Sequence, residues 1–356
     1  MICAHKKPDA DTIGSLLGLS HSLRELGKQT TLVCADPLGG ALAALPGAGD
    51  ILTQLPELLV GVADGAAGDM QIDVPLITGD GVPTTIVADG AADGVAIDGR
   101  PLPWDLVVTV DVSSLDRLGT VYDSAVALCP RLSLLNIDHH FTNDRFGTVN
   151  LVDAQAAAAT EVVALLLPRL GVRPSVPAAT CLLAGLLTDS LSFQTDSTTS
   201  RTLRVAADLV AAGAPLSSLA FQLFRQRPLG SAVVWSRALG TLRFAAGGRI
   251  AWIEVTREMV ADAGPGADST GLSGFAGSIA GVDVGVVLEE GADGPIYVGL
   301  RSQSVDVAAV AAEFGGGGHQ RAAGCQFAPP ATLASAREAL LPTIESALTS
   351  ERRSAS

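Results

Sequence analysis

The stretch Leu132-Ser133-Leu134-Leu135-Asn136-Ile137, followed at once by Asp138-His139-His140, decides the fold. An apolar run that carries no charge until its last residue reads as a strand covered on both faces, the condition of strands in a parallel sheet. The pattern recurs upstream in Asp105-Leu106-Val107-Val108-Thr109-Val110-Asp111-Val112-Ser113-Ser114, where the strand again ends on an aspartate. Thr31 to Ala35 is a third such run, and a very short one precedes His5 in Ala4-His5-Lys6-Lys7-Pro8-Asp9-Ala10-Asp11-Thr12. Helical stretches separate them. Thr12 to Leu26 places Ile13, Leu16, Leu17, Leu23 and Leu26 on one face and stops at Gly27, a favourable helix end. Leu182 to Thr188, apolar and readable as helix or strand, ends in Asp189-Ser190. The alternation implies an α/β domain with a mostly parallel sheet.

The chain has 356 residues, beyond the size at which one hydrophobic core stops growing, so two domains are expected. Helical character from Ser200 to Phe224 leads into Arg225-Gln226-Arg227-Pro228-Leu229-Gly230, the best boundary signal. The expected division is a first domain over 1–226, a linker over 227–235 and a smaller α+β domain over 236–350. In the latter, strands are expected at Arg249 to Val255, Val282 to Leu288 and Ile296 to Arg301. A helix from Val305 to Phe314 then runs into Gly315-Gly316-Gly317-Gly318-His319, and a last helix spans Ala331 to Leu348 before a frayed tail over 350–356. Gly61 to Pro103 differs from the rest, with eight Gly, four Pro and seven Asp against one Arg, and reads as a small β-meander inserted on the surface. Its Asp/Gly content lacks the EF-hand spacing that a calcium loop requires.

Composition excludes several classes. A hydrophobic fraction of 48% with 17% charged residues is not that of a disordered chain. The longest uncharged stretch, Leu209 to Phe224, contains Pro215 and is shorter than the roughly 20 residues that a spanning helix needs, so no membrane association is expected. Met1 to Lys7 meets polar residues too early for a secretory signal. Five scattered cysteines, Cys3, Cys34, Cys129, Cys181 and Cys325, form no CxxC pair, which suits a reducing cytoplasm. A net charge of −14 disfavours long nucleic acid and leaves room only for a short phosphate ligand at a local positive site.

The residues able to do chemistry fall at strand ends, where open parallel sheets bind ligands. Asp9 and Asp11, two apart in a turn, with His5 four residues before Asp9, offer hard oxygens and one imidazole, a set that suits manganese or magnesium better than a structural zinc. Capping of the following helix is the alternative for either aspartate. Asp111 is a site residue or a turn residue; Asp138-His139-His140 is hard to explain as packing; Asp189 alone is weak. Together His5, Asp9, Asp11, Asp111, His139 and Asp189 are too many ligands for one catalytic ion with open positions. They fit two divalent ions roughly 3.5–4 Å apart that share a carboxylate, with Asp111 the natural bridge. The glycine run, read as a linker, would lead to no further domain; read as a nest of backbone amides at Gly316, Gly317 and Gly318 beside His319, it binds phosphate. Arg301 and Ser302, at a strand end, are further phosphate donors.

The series HxxPDxD with a following Gly-Ser (His5 to Ser15), VDVSS at 110–114, DHH at 138–140, TDS at 188–190 and GGGGHxxAAG at 315–324 resembles the DHH phosphoesterases with a DHH-associated C-terminal domain. Within that family it is similar to the branch of bacterial oligoribonucleases and 3′-phosphoadenosine-5′-phosphate phosphatases, which includes cyclic-di-AMP phosphodiesterases. The resemblance implies a catalytic domain over 1–226 and a substrate-binding domain over 236–350, with the active site in the cleft between them. It implies that His5, Asp9 and Asp111 hold one manganese, and that Asp11, Asp111, His139 and Asp189 hold the other. It further implies that His140 and Asn143 lie near the reacting phosphate, that Asp111, Asp138 and His140 are catalytic, and that Arg301 and His319 reach the substrate. The expected activity is hydrolysis of nanoRNA and 3′-phosphoadenosine-5′-phosphate by a cytoplasmic homodimer. Cyclic-di-AMP or linear dinucleotides are the alternative substrates, and a nucleotide sensor without catalysis is the distant one. The basic Ser-Arg-Lys signature of the related inorganic pyrophosphatases does not occur.

Overall fold

In chain order the first strands are β1 (Ile2–Ala4), β2 (Leu32–Cys34), β3 (Ile51–Leu52), β4 (Val74–Ile77), β5 (Pro83–Ile86), β6 (Ala96–Ile97), β7 (Arg100–Pro101), β8 (Leu106–Val110), β9 (Ser133–Asp138) and β10 (Val149–Val152). The computed structural model describes residues 1–54, 74–77, 83–86, 96–97, 100–101, 104–121, 132–292 and 294–354. Two units separate within them, Met1–Gln226 and Arg227–Ser356.

Six strands of the first unit form one sheet in the order β10-β9-β8-β1-β2-β3, every pair parallel. Alternate residues feed opposite cores, as the pleat requires. Ile2, Ala4, Leu32, Cys34, Val108, Val110 and Ile137 face one core, whereas Cys3, Val33, Val107 and Leu134 face the other. The apolar runs are thus strands covered on both sides. Within the insertion expected over 61–103, β4 pairs with β5 and β6 with β7 as antiparallel ribbons, and its remaining residues lie outside the described ones.

The first core is closed by α1 (Ala10–Glu25), α2 (Ala159–Leu166) and α3 (Val176–Asp189), with α4 (Ser200–Ala211) and α5 (Leu216–Ala220) behind them. Ile13, Leu16 and Leu17 are buried on α1 as its spacing predicts, but Leu26 is exposed. The stretch Asp189 closes is a helix, so this aspartate arrives on α3 and not on a strand. Close packing of α1, α2 and α3 depends on Gly185: a Cβ there would sit 2.5 Å from Thr160 Cγ2 and 2.8 Å from the Asp11 Cα. The helical character expected unbroken from Ser200 to Phe224 is interrupted before Pro215, which has no amide to continue a helix and stands at the N-cap of α5.

The second unit contains α6 (Leu229–Ala238), β11 (Arg243–Ala245), β12 (Ile250–Val255), α7 (Arg257–Ala261), α8 (Leu272–Gly277), β13 (Val284–Glu290), β14 (Ile296–Ser302), α9 (Val307–Ala312), β15 (Gly317–His319), β16 (Ala322–Phe327) and α10 (Leu333–Ser354). Its sheet runs β11-β12-β13-β14-β16-β15, antiparallel except for β12 with β13. Leu340, Ile344 and Leu348 of α10 pack on one face with Val286 and Leu300, and Leu272 and Ala276 of α8 pack on the other with Ala251 and Ile253. The expected linker over 227–235 is mostly α6. Pro228 stands at its N-cap, where a missing amide breaks no helical bond, and Arg227 lies 4.2 Å over the Trp235 ring. The last helix also continues through 350–354, beyond the bound expected from the sequence.

Candidate active site

The strand ends of the first unit converge on Asp111. The residue adopts φ +58, a left-handed conformation that is uncommon outside glycine and recurs at functional sites. Its two carboxylate oxygens point to different neighbours. Oδ2 accepts from Thr12 Oγ1 (2.6 Å) and lies 3.4 Å from His5 Nε2. Oδ1 lies 3.6 Å from His139 Nε2 and 3.5 Å from His140 Nδ1, yet it is buried and accepts no hydrogen bond. An orphaned anionic oxygen between two imidazoles is what a cation would satisfy.

Around this carboxylate the ligand atoms of His5, Asp9 and Asp111 lie within 4.8 Å of one another, as do those of Asp11, His139 and Asp189. Asp111, Asp138, His139 and His140 form a third such group. These acid and histidine clusters could hold metal ions, and their hard oxygens with few imidazoles suit divalent ones. Asp9 also caps α1, its Oδ1 accepting from the Asp11 and Thr12 amides at 3.0 Å, so capping and ligation are compatible. Asp11 is almost fully buried and accepts from Ala159 N (2.6 Å), Thr160 N (2.9 Å) and Thr160 Oγ1 (2.7 Å). His139 donates from Nδ1 to the Ala156 carbonyl at 3.3 Å, which leaves Nε2 toward Asp11, Asp111 and Asp189 at 3.8, 3.6 and 3.4 Å.

The electrostatics are those of a cluster that shares protons. Burial, then the charge of Asp111, lifts the Asp11 carboxyl to about 7, and burial with the charge of Asp11 raises Asp189 well above the carboxylate range. Burial lowers the His139 imidazole, but Asp11, Asp111 and Asp189 outweigh it and hold its pKa at about 9. His5 is raised in the same way, Asp111 prevailing over burial. Asp111 is lowered: burial opposes this, but the hydrogen bond with His5 and the charges of His139 and His140 prevail.

Asp138 is fully buried, and both of its oxygens are engaged. Oδ1 accepts from His140 Nδ1 and from the His139 amide (both 2.8 Å), and Oδ2 accepts from Asn143 Nδ2 (2.5 Å). Asn143 also donates to the Val112 carbonyl at 3.0 Å and accepts from Asn136 Nδ2 at 3.1 Å and the Arg145 amide at 2.7 Å, so its amide group is committed within the protein. Thr12, Thr160 and the Ala156 carbonyl carry no motif signal of their own. Thr12 is recognisable only by its place three residues after Asp9, where its hydroxyl lies 2.6 Å from His5 Nε2 and 3.0 Å from Asp9 Oδ1.

In the second unit Arg301, Ala322 and His319 stand in register across β14, β16 and β15, and so share a face. Burial lowers the Arg301 pKa, and its Nη1 donates to the Leu300 carbonyl at 2.9 Å. His319, Gly317 and Gly318 are exposed on β15. Two expectations are corrected. Ser302 is buried, donates to the Asp283 carbonyl (2.7 Å) and accepts from the amides of Ser304 (3.1 Å) and Val305 (2.8 Å), so its hydroxyl organises a turn and is not presented to a phosphate. The Gly316 amide donates to the Ala311 carbonyl at 2.9 Å, closing the end of α9, and so does not belong to an anion nest. Gly316 is there for close approach: a Cβ would meet the Gly324 carbonyl and lie 2.5 Å from Cys325 Cβ.

A parallel sheet with acid and histidine clusters at its strand ends, joined to a separate mixed-sheet unit, defines an α/β hydrolase-type metal site. Residues 1–186 match the DHH family N-terminal domain, and residues 257–349 match the DHHA1 domain. The chain is 31% identical over 324 residues to the bifunctional oligoribonuclease and PAP phosphatase NrnA of Thermus thermophilus, covering 91% of this chain and 82% of that protein. It is 26% identical over 236 residues to the protein of the same name from Bacillus subtilis, covering 65% of this chain and 72% of that one. An exopolyphosphatase-related protein from Bacteroides fragilis has the same fold, with a TM-score of 0.76 at 22% identity over 98% of this chain and 91% of that one. The chain therefore belongs to the DHH family, and it is a phosphoesterase. Among the described residues no single helix is long and apolar enough to cross a membrane.

Proposed function

We propose that this phosphoesterase removes terminal phosphoryl or nucleotidyl groups from short substrates, nanoRNA and 3′-phosphoadenosine-5′-phosphate, using two divalent ions. Manganese is the expected metal and magnesium the alternative. The observation that carries the reading is the divided geometry of Asp111, with Oδ2 toward His5 and the orphaned Oδ1 toward His139. His5, Asp9 and Asp111 would hold one ion, and Asp11, Asp111, His139 and Asp189 the other. Bound there, such ions supply charge neutralisation of the phosphate and a water of lowered pKa.

The protein's own part is orientation and proton control. Asp138 fixes the His140 ring through Nδ1, which leaves Nε2 as the nitrogen available to a phosphate oxygen or leaving group, and Asn143 fixes Asp138. Both act as positioning residues. The sharing of protons among Asp11, His139 and Asp189 gives the site a store of protons that must leave before metal binds. Arg301 and His319 would oppose the charge of the substrate. Cyclic-di-AMP and linear dinucleotides fit the same chemistry. Relatives whose names carry oligoribonuclease and PAP phosphatase activity favour the first pair of substrates. A cytoplasmic homodimer acting without membrane or long nucleic acid is part of this reading.

Substrate length tests it. A surface of net charge −14 remains negative with two divalent ions bound, so each further phosphate is repelled outside the immediate site. With manganese present, turnover of labelled RNA should be high for di- and trinucleotides and fall steeply beyond about five nucleotides, in line with a site that has no basic track. Equal or faster degradation of a strand several times longer would refute the assignment.

A further inference from the structure

The acid cluster is gripped by a segment, Asp153 to Thr160, that crosses beneath it between β10 and α2. This segment touches two of the ligands assigned to the second ion and none of those assigned only to the first. Its Ala156 carbonyl accepts from His139 Nδ1, and its Ala159 and Thr160 amides donate to Asp11. Ala158, at the N-cap of α2, offers no side-chain cap, so the Asp11 carboxylate, arriving from α1, caps α2 in its place.

A second carboxylate holds that segment. Glu161 is completely buried, an expensive position for a charge unless it is paired and hydrogen-bonded. Its Oε2 accepts from the Ala157 amide (2.9 Å) and Thr202 Oγ1 (3.0 Å), and its Oε1 accepts from Arg201 Nε (2.7 Å). Arg201, 34% exposed at the rim, also pairs through Nη1 with Asp153 at 2.8 Å. The Arg201 guanidinium thus ties the Asp153 end of the segment to Glu161 at its other end, and α4 to both.

We propose that Glu161, with Arg201, is a positioning residue for one half of the metal centre: it fixes Asp11 and the metal-binding tautomer of His139, and leaves the His5 and Asp9 half untouched. The assignment rests on the two-ion reading above. Partners that orient metal ligands typically change affinity by about 10- to 100-fold. Disturbing Glu161 should therefore weaken one of two binding events selectively.

The test is a manganese titration of the metal-free full-length chain, followed by the electron paramagnetic resonance signal of the free ion, with melting temperature recorded in parallel. Asp9→Asn and Asp189→Asn identify the two events. Glu161→Gln should weaken the event that Asp189→Asn weakens by about 10- to 100-fold and leave the other within about twofold. Arg201→Gln, a change at the rim that the fold tolerates more easily, should do the same by about 3- to 10-fold, and it decides the matter if Glu161→Gln does not fold. Equal weakening of both events, or unchanged affinities with only a lowered melting temperature, would overturn the proposal and leave Glu161 a purely structural residue. A wild-type chain that binds fewer than two ions would overturn the two-ion reading instead, and this assignment with it.

Discussion

The two units handle charge in opposite ways. In the first, anions are concentrated: Asp11, Asp111 and Asp138 are buried, and each is held by named donors on neighbouring elements. In the second, cations are left unneutralised: among the described residues neither Arg301 nor Arg321 forms an ion pair, and Arg321 Nη1 is buried without a hydrogen-bond partner. The difference teaches which tasks need a preset geometry. A metal set must be rigid before its ion arrives, so its ligands are over-determined by packing and hydrogen bonds. A surface that meets a transient anion needs positive charge without an internal partner to compete for it.

The sharpest way to break that contrast is Asp111→Asn. Loss of the shared charge should abolish manganese-dependent turnover, a fall of about a thousandfold or more, with the fold intact by circular dichroism. Hydrolysis within tenfold of wild type would mean that Asp111 is no bridge. Next comes Gly185→Ala, which places a methyl against Thr160 and the Asp11 backbone. Thermal unfolding should show a destabilisation of about 2–4 kcal/mol, the scale of an overpacked core contact, together with weaker manganese binding. A neutral change would show that the three helices can part without cost.

His319→Ala sharpens the other side. It should leave manganese content unchanged and reduce kcat/KM by about 2–3 kcal/mol, the scale of one charge-assisted donor. Loss of an ion, measured by elemental analysis, would contradict the division of labour. The smallest effect is on pH. The His139 pKa rises from the ordinary 6.5 to about 9 in the fold, so its proton stabilises the metal-free protein fully below about pH 6.5, and this stabilisation is lost as pH rises through 9. Asp11, raised to about 7, adds a loss in the same direction from about pH 4 to 7. Metal-free stability should therefore fall by about 1–3 kcal/mol between pH 6.5 and 9, and saturating manganese should reverse the slope, because ions bind the deprotonated ligands. A flat metal-free profile would show that the protons are not shared as described.

How much of this was legible follows from how locally each feature is written. Parallel strands buried on both faces appear as apolar runs, and the residue after each run falls at the rim, so Asp111 and Asp138 to His140 could be placed from composition alone. Asp189 was harder, because its position depends on packing of α3 against α1, and no local signal reports that contact. Thr160, Glu161 and Arg201 were missed for the same reason: their partners lie 40 or more residues away, at 148 and 149 for the bonds to Asp11. Ser302 and Gly316 were misassigned because residue type shows that a group can donate, not that a turn or a helix end already uses it. Pro228 marked a break correctly, but what begins there is a helix and not a linker.

The contact at Gly185 acts as a caliper. Asp11 and Asp189, ligands assigned to one ion, stand on helices whose separation is set by the absence of a single methyl group. The span available to a cation is then fixed by helix packing, independently of which atoms ligate it. Ionic radius becomes a property that can be tuned from beneath the site: widening the jaws at position 185, with every ligand unchanged, should shift preference from manganese toward the larger calcium ion.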